Sequence, residues 1–260
     1  MSILTITASN RDRLNLDTNI TKFFIKSLEN QTVQNFEVLI VDGGSKNFEE
    51  LKEYFDSRDC FPLIRIIQEP LGEKFERAKL NNVGVRNATT PYIMTTDVDM
   101  FYGPEFVTQI TNHLSPDVFI ESRTMYWKSN NTKRIYSGEL DPFNDLESCK
   151  NGRIKKRTTA GGCQCTSIEQ WTKVRGFDED FVGWGSEDFD LLTRMQRSTA
   201  KIIWVGESRE SINLFHQHHS KPDVKGDLAC QNENKKLLDK AMSGKRPYMA
   251  NPNGWGGIYV

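Results

Sequence analysis

Four short apolar runs, each closing on polar or acidic residues and each separated from the next by helical spacing, constrain this chain most. They are residues 3–8, 36–41, 63–67 and 92–94. β-Branched and aromatic residues dominate them, which suits buried strands. Ile20, Phe23, Phe24 and Leu28 recur at helical spacing after the first run. Phe48, Leu51 and Phe55 mark a second helix. Phe75, Ala78, Leu80, Val83 and Val85 mark a third, which Asn81, Asn82 and Gly84 leave imperfect. Strands alternating with helices predict an α/β fold with a mostly parallel sheet, whose ligands sit at the carboxyl ends of the strands. Asp42-Gly43-Gly44-Ser45 stands at one such end, and Asp97-Val98-Asp99 at another.

The second half is less regular. Residues 118–127 and 133–137 read as strands, with a hairpin around Asn130-Asn131. Residues 150–157 carry five basic side chains and read as a mobile loop. Phe189, Leu191, Leu192 and Met195 give a helix over 188–197, followed by a strand over 202–205. A polar helix near 232–242 precedes a Gly- and Pro-rich tail.

The chain has 260 residues, enough for one large domain. Its 34 Lys+Arg nearly cancel its 35 Asp+Glu, which argues against non-specific nucleic-acid binding. No apolar run approaches the roughly 20 residues of a membrane span. The first six residues lack a basic leader and read as a strand, so a cytoplasmic location is expected. The five cysteines read as reduced and structural, because Cys163 and Cys165 lack the second pair of a zinc site.

Asp97 and Asp99 are hard oxygen donors suited to Mg2+ or Mn2+ on a diphosphate, unless they are ordinary turn aspartates. His216-Gln217-His218-His219 holds three of the four histidines; it can complete a metal shell or form a polar strand end. Asp42 suits a base imide or a ribose, Arg11 suits that aspartate or a phosphate, and Arg77 suits a phosphate or the base. Turn chemistry and a solvated helix face are their alternatives. In Gly183-Trp184-Gly185-Ser186-Glu187-Asp188, the acids suit either acid/base chemistry or a helix start. The helix start does not explain a tryptophan between two glycines.

Taken in order, these motifs resemble the GT-A glycosyltransferases, with a family 2-like first half and a beta-1,4-galactosyltransferase-like second half. The matches are Asn10-Arg11, Asp42-Gly43-Gly44-Ser45, Phe75-x-Arg77-Ala78-Lys79-x-x-Asn82-x-Gly84, Asp97-Val98-Asp99, Gly161-Gly162, Gly176-Phe177 and the segment from Gly183 to Asp188. Ser186 stands where a glycine is common.

The resemblance implies a nucleotide-sugar-binding half over 1–100, an acceptor-binding and catalytic half of the same domain over 101–242, and a tail over 243–260. It implies Arg11, Asp42 and Arg77 on a uridine nucleotide, Asp97 on ribose or metal, and Trp184 beside the sugar. It implies Asp99 as metal ligand with His219, or second His216, and Mn2+ or Mg2+ as the ion. Glu187 would bind sugar hydroxyls, and Asp188 would be the general base. The expected activity is inverting transfer of a hexose or N-acetylhexosamine from a UDP-sugar to a glycan, lipid-linked glycan or protein, as in polysaccharide biosynthesis. Peripheral membrane contact through the basic residues 150–157 is compatible with this.

Retaining transferases of the polypeptide N-acetylgalactosaminyltransferase type share much of the layout but usually carry Asn where Asp188 stands. A nucleotidyltransferase would need a Gly-rich, basic N-terminal loop, and a non-catalytic sugar-nucleotide-binding module would have a broken acid set.

Overall fold

The first strand, β1 (Leu4–Asn10), points Leu4, Ile6 and Ala8 to one face and Thr5, Thr7 and Ser9 to the other, and all seven residues are buried. A strand buried on both faces needs helices above and below it. The structure, a computed structural model describing residues 2–154, 161–183, 185–219 and 228–259, supplies them in order. The chain continues through α1 (Asn19–Glu29), β2 (Phe36–Asp42), α2 (Phe48–Asp56), β3 (Ile64–Gln68), α3 (Arg77–Asn87) and β4 (Tyr92–Asp97). Phe24, Ile25 and Leu28 of α1 and Leu51 and Phe55 of α2 join Leu4 and Ile6 in the main core. Ala78 and Val85 of α3 pack in a second core with Ile93 and Phe119.

These four strands are parallel and lie in the order β3-β2-β1-β4. The order reverses between β1 and β4, where a crevice opens at the strand ends. Asn10 lies beside Asp42 in the register of β1 and β2, and Ser9 beside Asp97 in that of β1 and β4. Gly84 lets α3 settle on β1, because a Cβ there would overlap Thr7 Oγ1. A larger residue would lift the helix that carries Arg77, and overpacking of this kind costs about 1–3 kcal/mol.

Beyond β4 come β5 (Met100–Tyr102), α4 (Phe106–Thr111), β6 (Val118–Ser122), β7 (Thr124–Trp127), α5 (Ser129–Tyr136), β8 (Gly152–Ile154), β9 (Cys163–Ser167), α6 (Ile168–Val174) and α7 (Glu187–Arg197). The chain ends with β10 (Lys201–Val205), β11 (Leu214–His216), α8 (Leu228–Met242), β12 (Gly254–Trp255) and β13 (Ile258–Tyr259). β9 runs antiparallel between β4 and β6, and β10 completes a seven-stranded sheet. A second sheet, β5-β11-β7-β8, stands beside it over a cluster of Phe101, Met125, Trp127 and Phe215.

Three expectations for the second half change. Residues 133–136 belong to α5 and Ser137 caps it, so no hairpin strand forms there. Asn131, Thr132 and Ile135 bury one face of that helix, and Asn131 Nδ2 donates to Cys149 O at 2.9 Å, so the Asn pair serves packing instead of a turn. The run 118–127 is two strands in different sheets, broken at Arg123. The basic stretch begins with β8, paired to β7, and residues 155–160 lie outside the described residues. The Gly- and Pro-rich tail is docked: Trp255 is buried in the second core, and Gly256 N donates to Glu179 Oε1 at 2.9 Å. Among the described residues, no helix is long and apolar enough to cross a membrane.

Candidate active site

Asp97 closes β4, Val98 and Asp99 form the turn into β5, and that turn sends the two carboxylates to different neighbours. Asp97 accepts from Arg77 Nε at 2.7 Å. Asp99 turns to the second sheet, where His219 Nε2 lies 3.0 Å and His216 Nε2 3.7 Å from its oxygens. The register of β11 explains the placement: His216 lies opposite Met100 on one side and Tyr126 on the other. Gln217, fully buried between the histidines, locks it. Its N–H donates to Asp99 O at 3.1 Å, its side chain to Ile20 O and Met100 O, and Tyr136 Oη donates to it at 2.7 Å.

Asp99, His216 and His219 offer ligand atoms that all lie within 4.8 Å of one another. Octahedral bonds of about 2.1 Å set neighbouring ligands roughly 3 Å apart, so a small inward shift of His216 closes this set around an ion. One carboxylate with two imidazoles suits Mn2+ better than Mg2+. Burial pushes Asp99 up, but His216, His219 and Arg13 outweigh it and pull the carboxyl down to about 2. The group is therefore an anion ready for a cation across the physiological range.

The second centre is built on Arg77, at the start of α3 and nearly fully buried. Its guanidinium meets Asp97, Asp188 at 2.7 Å and Glu187 at 3.3 Å. Burial alone would disfavour its charge; Asp188, Asp97 and Glu187 overcome that and hold it above its ordinary range. Three acids share one guanidinium, and Glu187 gives way. Burial first, then the charge of Asp188, push Glu187 up to about 7. Its Oε2 accepts from Gly185 N at 2.9 Å, so both its oxygens face protein groups. The side chains of Asp188 and Asp97 remain 19% and 32% exposed. Arg77, expected on a nucleotide, and Glu187, expected on a sugar, are both buried here and paired with each other, with Arg77 also holding Asp97 and Asp188.

Asp42 stands at the end of β2, beside Asn10 of β1. It is fully buried, and Asn10 Nδ2, Gly44 N, Ser45 N and Ser45 Oγ all donate to it within 2.9 Å. Its lone pairs are spent on shaping the two loops after β1 and β2. Arg11, beside it, donates to Lys74 O at 3.0 Å. Trp184 lies outside the described residues.

Other residues at the site gave little sequence signal. Tyr126 stacks on His216 with ring centroids 4.8 Å apart. Burial first, and then Asp97, Asp188 and Asp99, raise its pKa. Asn234 of α8, buried, donates to Val182 O and Gly185 O, both at 3.0 Å, and so ties both sides of the residue 184 segment to a helix that reads as merely polar. Ser186 adopts φ 76°, which accounts for glycine being common at this position. Gly161, at φ 105°, lies so close to Asp188 that a Cβ would collide with its Oδ2.

The upward shift of Glu187 has a stability consequence. A carboxyl at about 7 in the folded chain and about 4.3 in the unfolded chain binds more protons when folded between those values. Its unfavourable contribution is absent below about pH 4.3 and grows as pH rises to about 7. Glu187→Gln is therefore expected to melt above the parent at pH 8, by about 1–3 kcal/mol, and to converge with it near pH 4. Melting curves at the two pH values check this; a variant less stable at pH 8 would contradict it.

A parallel sheet with a switch point, acids at the ends of β4 and at the start of α7, and a His/Asp cluster on a second small sheet define a GT-A fold. Comparisons agree. The family model for glycosyl transferase family 2 matches residues 17–167, more than half of the chain, and the protein belongs to that family. The model described as the N-terminal domain of galactosyltransferase matches residues 146–219. Human beta-1,4-galactosyltransferase 4 is 28% identical over 139 residues, which are 54% of this chain and 34% of the relative. The chain thus spans about a third of that relative's length. Staphylococcus aureus TarS in complex with UDP-GlcNAc superposes with a TM-score of 0.64 at 12% identity, covering 92% of this chain and 66% of that one. GalNAc-T7 with UDP, GalNAc and Mn2+ superposes at 0.61 and 12% identity, covering 92% and 48%.

Proposed function

We propose that this chain is a metal-dependent, inverting glycosyltransferase that moves a hexose or N-acetylhexosamine from a UDP-sugar to a hydroxyl of a glycan, lipid-linked glycan or protein. The observation that carries this reading is the pairing of two centres through one tripeptide. Asp97 shares Arg77 with Asp188, and Asp99, two residues on, meets His216 and His219. The donor's diphosphate belongs on the centre of Asp99, His216 and His219, and the acceptor hydroxyl beside Asp188 at the centre built on Arg77. A divalent cation held by Asp99, His219 and His216 would neutralise charge on the departing diphosphate.

The chain's own groups do the rest. Asp188 accepts the proton of the acceptor hydroxyl as that oxygen attacks the anomeric carbon, and UDP leaves from the opposite face. Arg77 holds Asp188 and Asp97 in one plane of charge, and Glu187 anchors Gly185 at the base of the loop. In this reading Trp184 would cover the sugar and limit water, which would hydrolyse the donor. The UDP-GlcNAc bound to TarS and the UDP and Mn2+ bound to GalNAc-T7 support a nucleotide-sugar donor.

A panel of UDP-sugars with Mn2+ and mixed acceptors, read as released UDP, tests the reading. One donor or a small set should turn over, and release should depend on acceptor. Consumption of a nucleoside triphosphate with no UDP from any sugar would replace this reading with nucleotidyl transfer.

A further inference from the structure

Glu121 is a carboxyl group with no place in the chemistry above. It lies on β6, on the same face as Phe119, and is fully buried. In the antiparallel register of β6 and β9 it stands opposite Gln164, itself almost wholly buried. Gln164 Nε2 donates to Glu121 Oε1 at 3.0 Å and to the main-chain oxygen of Asp188 at 3.2 Å. The backbone N–H of Gly161 also bonds to the Glu121 carboxyl. Gly161 in turn packs next to Asp188, close enough that a Cβ on it would overlap the Asp188 Oδ2. Glu121 therefore reaches Asp188 by two routes, through Gln164 to its main chain and through Gly161 to its carboxylate.

Asp188 needs such support. It sits in the first turn of α7, directly after Gly183, Gly185 and Ser186, all at positive φ. The segment before the helix is thus conformationally permissive, and Ser186 makes no side-chain cap bond. The central sheet is the rigid body from which this turn can be held.

We propose that Glu121 and Gln164 are positioning residues for Asp188, a cross-strand pair that fixes the first turn of α7 and the Gly161 backbone so that the carboxylate faces the acceptor hydroxyl. This rests on the reading of Asp188 as the base. The choice of a carboxyl over an apolar residue follows from hydrogen bonding: an apolar side chain would leave Gln164 and Gly161 without their acceptor. Burial pushes Glu121 well above the usual carboxylate range, Asp188 pushes it the same way, and Gln164, Gly161 and Arg77 counter only part of this. Burial thus favours the uncharged form of this carboxyl. It accepts hydrogen bonds without adding a fourth negative charge around Arg77. An amide serves equally well, which gives the proposal a sharp signature.

The test uses Glu121→Leu, Gln164→Leu and Glu121→Gln in the full chain. The two leucine variants should lose about 10²-fold in kcat, the scale of a small misplacement of a reacting group. Their donor KM and Mn2+ affinity should stay close to the parent. The double leucine variant should lose less than the two single losses combined, because the Glu121–Gln164 contact is shared by both. Glu121→Gln should recover most of the rate. If Glu121→Leu does not fold, Gln164→Leu with Glu121→Gln decides. Equal losses in kcat and donor binding, or a Glu121→Gln enzyme as impaired as the leucine variants, would overturn the proposal.

Two readouts stand apart from activity. Infrared difference spectra of Glu121→Gln against the parent should show loss of a protonated-carboxyl band at neutral pH. Amide exchange over residues 186–190 should speed up in Glu121→Leu and Gln164→Leu but not in Glu121→Gln. If no donor supports transfer, the glycosyltransferase reading falls while these two readouts still decide the support of α7. An absent band or unchanged exchange would overturn it.

Discussion

Removing divalent metal should abolish sugar transfer, and Asp99→Ala should abolish it even when Mn2+ is added back. Asp99 provides the only carboxylate in the candidate cluster, with its oxygens 3.0 and 3.7 Å from the two imidazole nitrogens. Changing a mere outer-shell partner typically costs 10- to 100-fold in metal affinity or activity. Loss of a direct anionic ligand should exceed that, on the order of 10²-fold or more in Mn2+ affinity. His219→Ala should weaken Mn2+ binding more than His216→Ala, because His219 lies closer to Asp99 and His216 is also held by stacking on Tyr126. Mn2+ should bind more tightly than Mg2+, as expected for imidazole donors. Asp99, held down at about 2, stays ionised at every working pH, so protons compete only at the imidazoles. Histidine must be neutral to ligate, so Mn2+ loading should weaken at acid pH. Mn2+ titrations read by calorimetry and by rate check each point. Full activity of Asp99→Ala in chelator would refute the metal site, and the reverse histidine order would reassign the second ligand.

The strand–helix alternation of the first half was legible because parallel strands buried on both faces leave near-continuous apolar runs. β1, β2, β3 and β4 fall on the runs read from the sequence, and Asp42 and Asp97 close β2 and β4. The second half was less legible because its elements are short and its polar residues are buried. Asn131 in α5 and Asn82 in α3 look like loop residues, yet Asn131 bonds to Cys149 O, and Asn82 to Phe177 O and Glu179 at 2.9 and 2.8 Å. Their amides replace apolar packing with specific hydrogen bonds, which periodicity does not detect.

The residues of the candidate site were recognisable by type, but their pairing was not. A lone Arg77 at the head of a helix reads as a phosphate ligand. Its three carboxylate partners lie 20, 110 and 111 residues away, so only the fold reveals that it is already engaged. Asp42 is similar: a polar turn motif gives no hint that its carboxylate accepts four bonds within its own loops. Glu121 was invisible for the opposite reason. It lies in an apolar run beside Phe119 and Ile120 and resembles a strand-edge residue until its cross-strand neighbour is known.

Asp188→Asn should lower kcat by about 10²-fold or more, the usual scale for losing a general base, while UDP and Mn2+ affinity stay nearly unchanged. The amide keeps the shape of the carboxylate, and Arg77 can still donate to its oxygen. Arg77 also retains Asp97 and Glu187, so the cluster should not collapse. What the amide cannot do is take a proton from the acceptor hydroxyl. Asp188 is suited to that task by placement: it is partly open to the cleft, whereas Glu187 is buried with both oxygens turned to Arg77 and Gly185 N. The mechanism also fixes stereochemistry. One displacement with a base on the acceptor side inverts the anomeric centre, so the first-formed glycoside should carry the opposite configuration to the donor, readable by proton NMR during the initial turnover. A product with retained configuration, or an Asp188→Asn enzyme close to the parent in kcat, would remove Asp188 from the role of base and favour the retaining mechanism. A variant with normal UDP binding, intact Mn2+ affinity and almost no transfer would place the defect at proton removal.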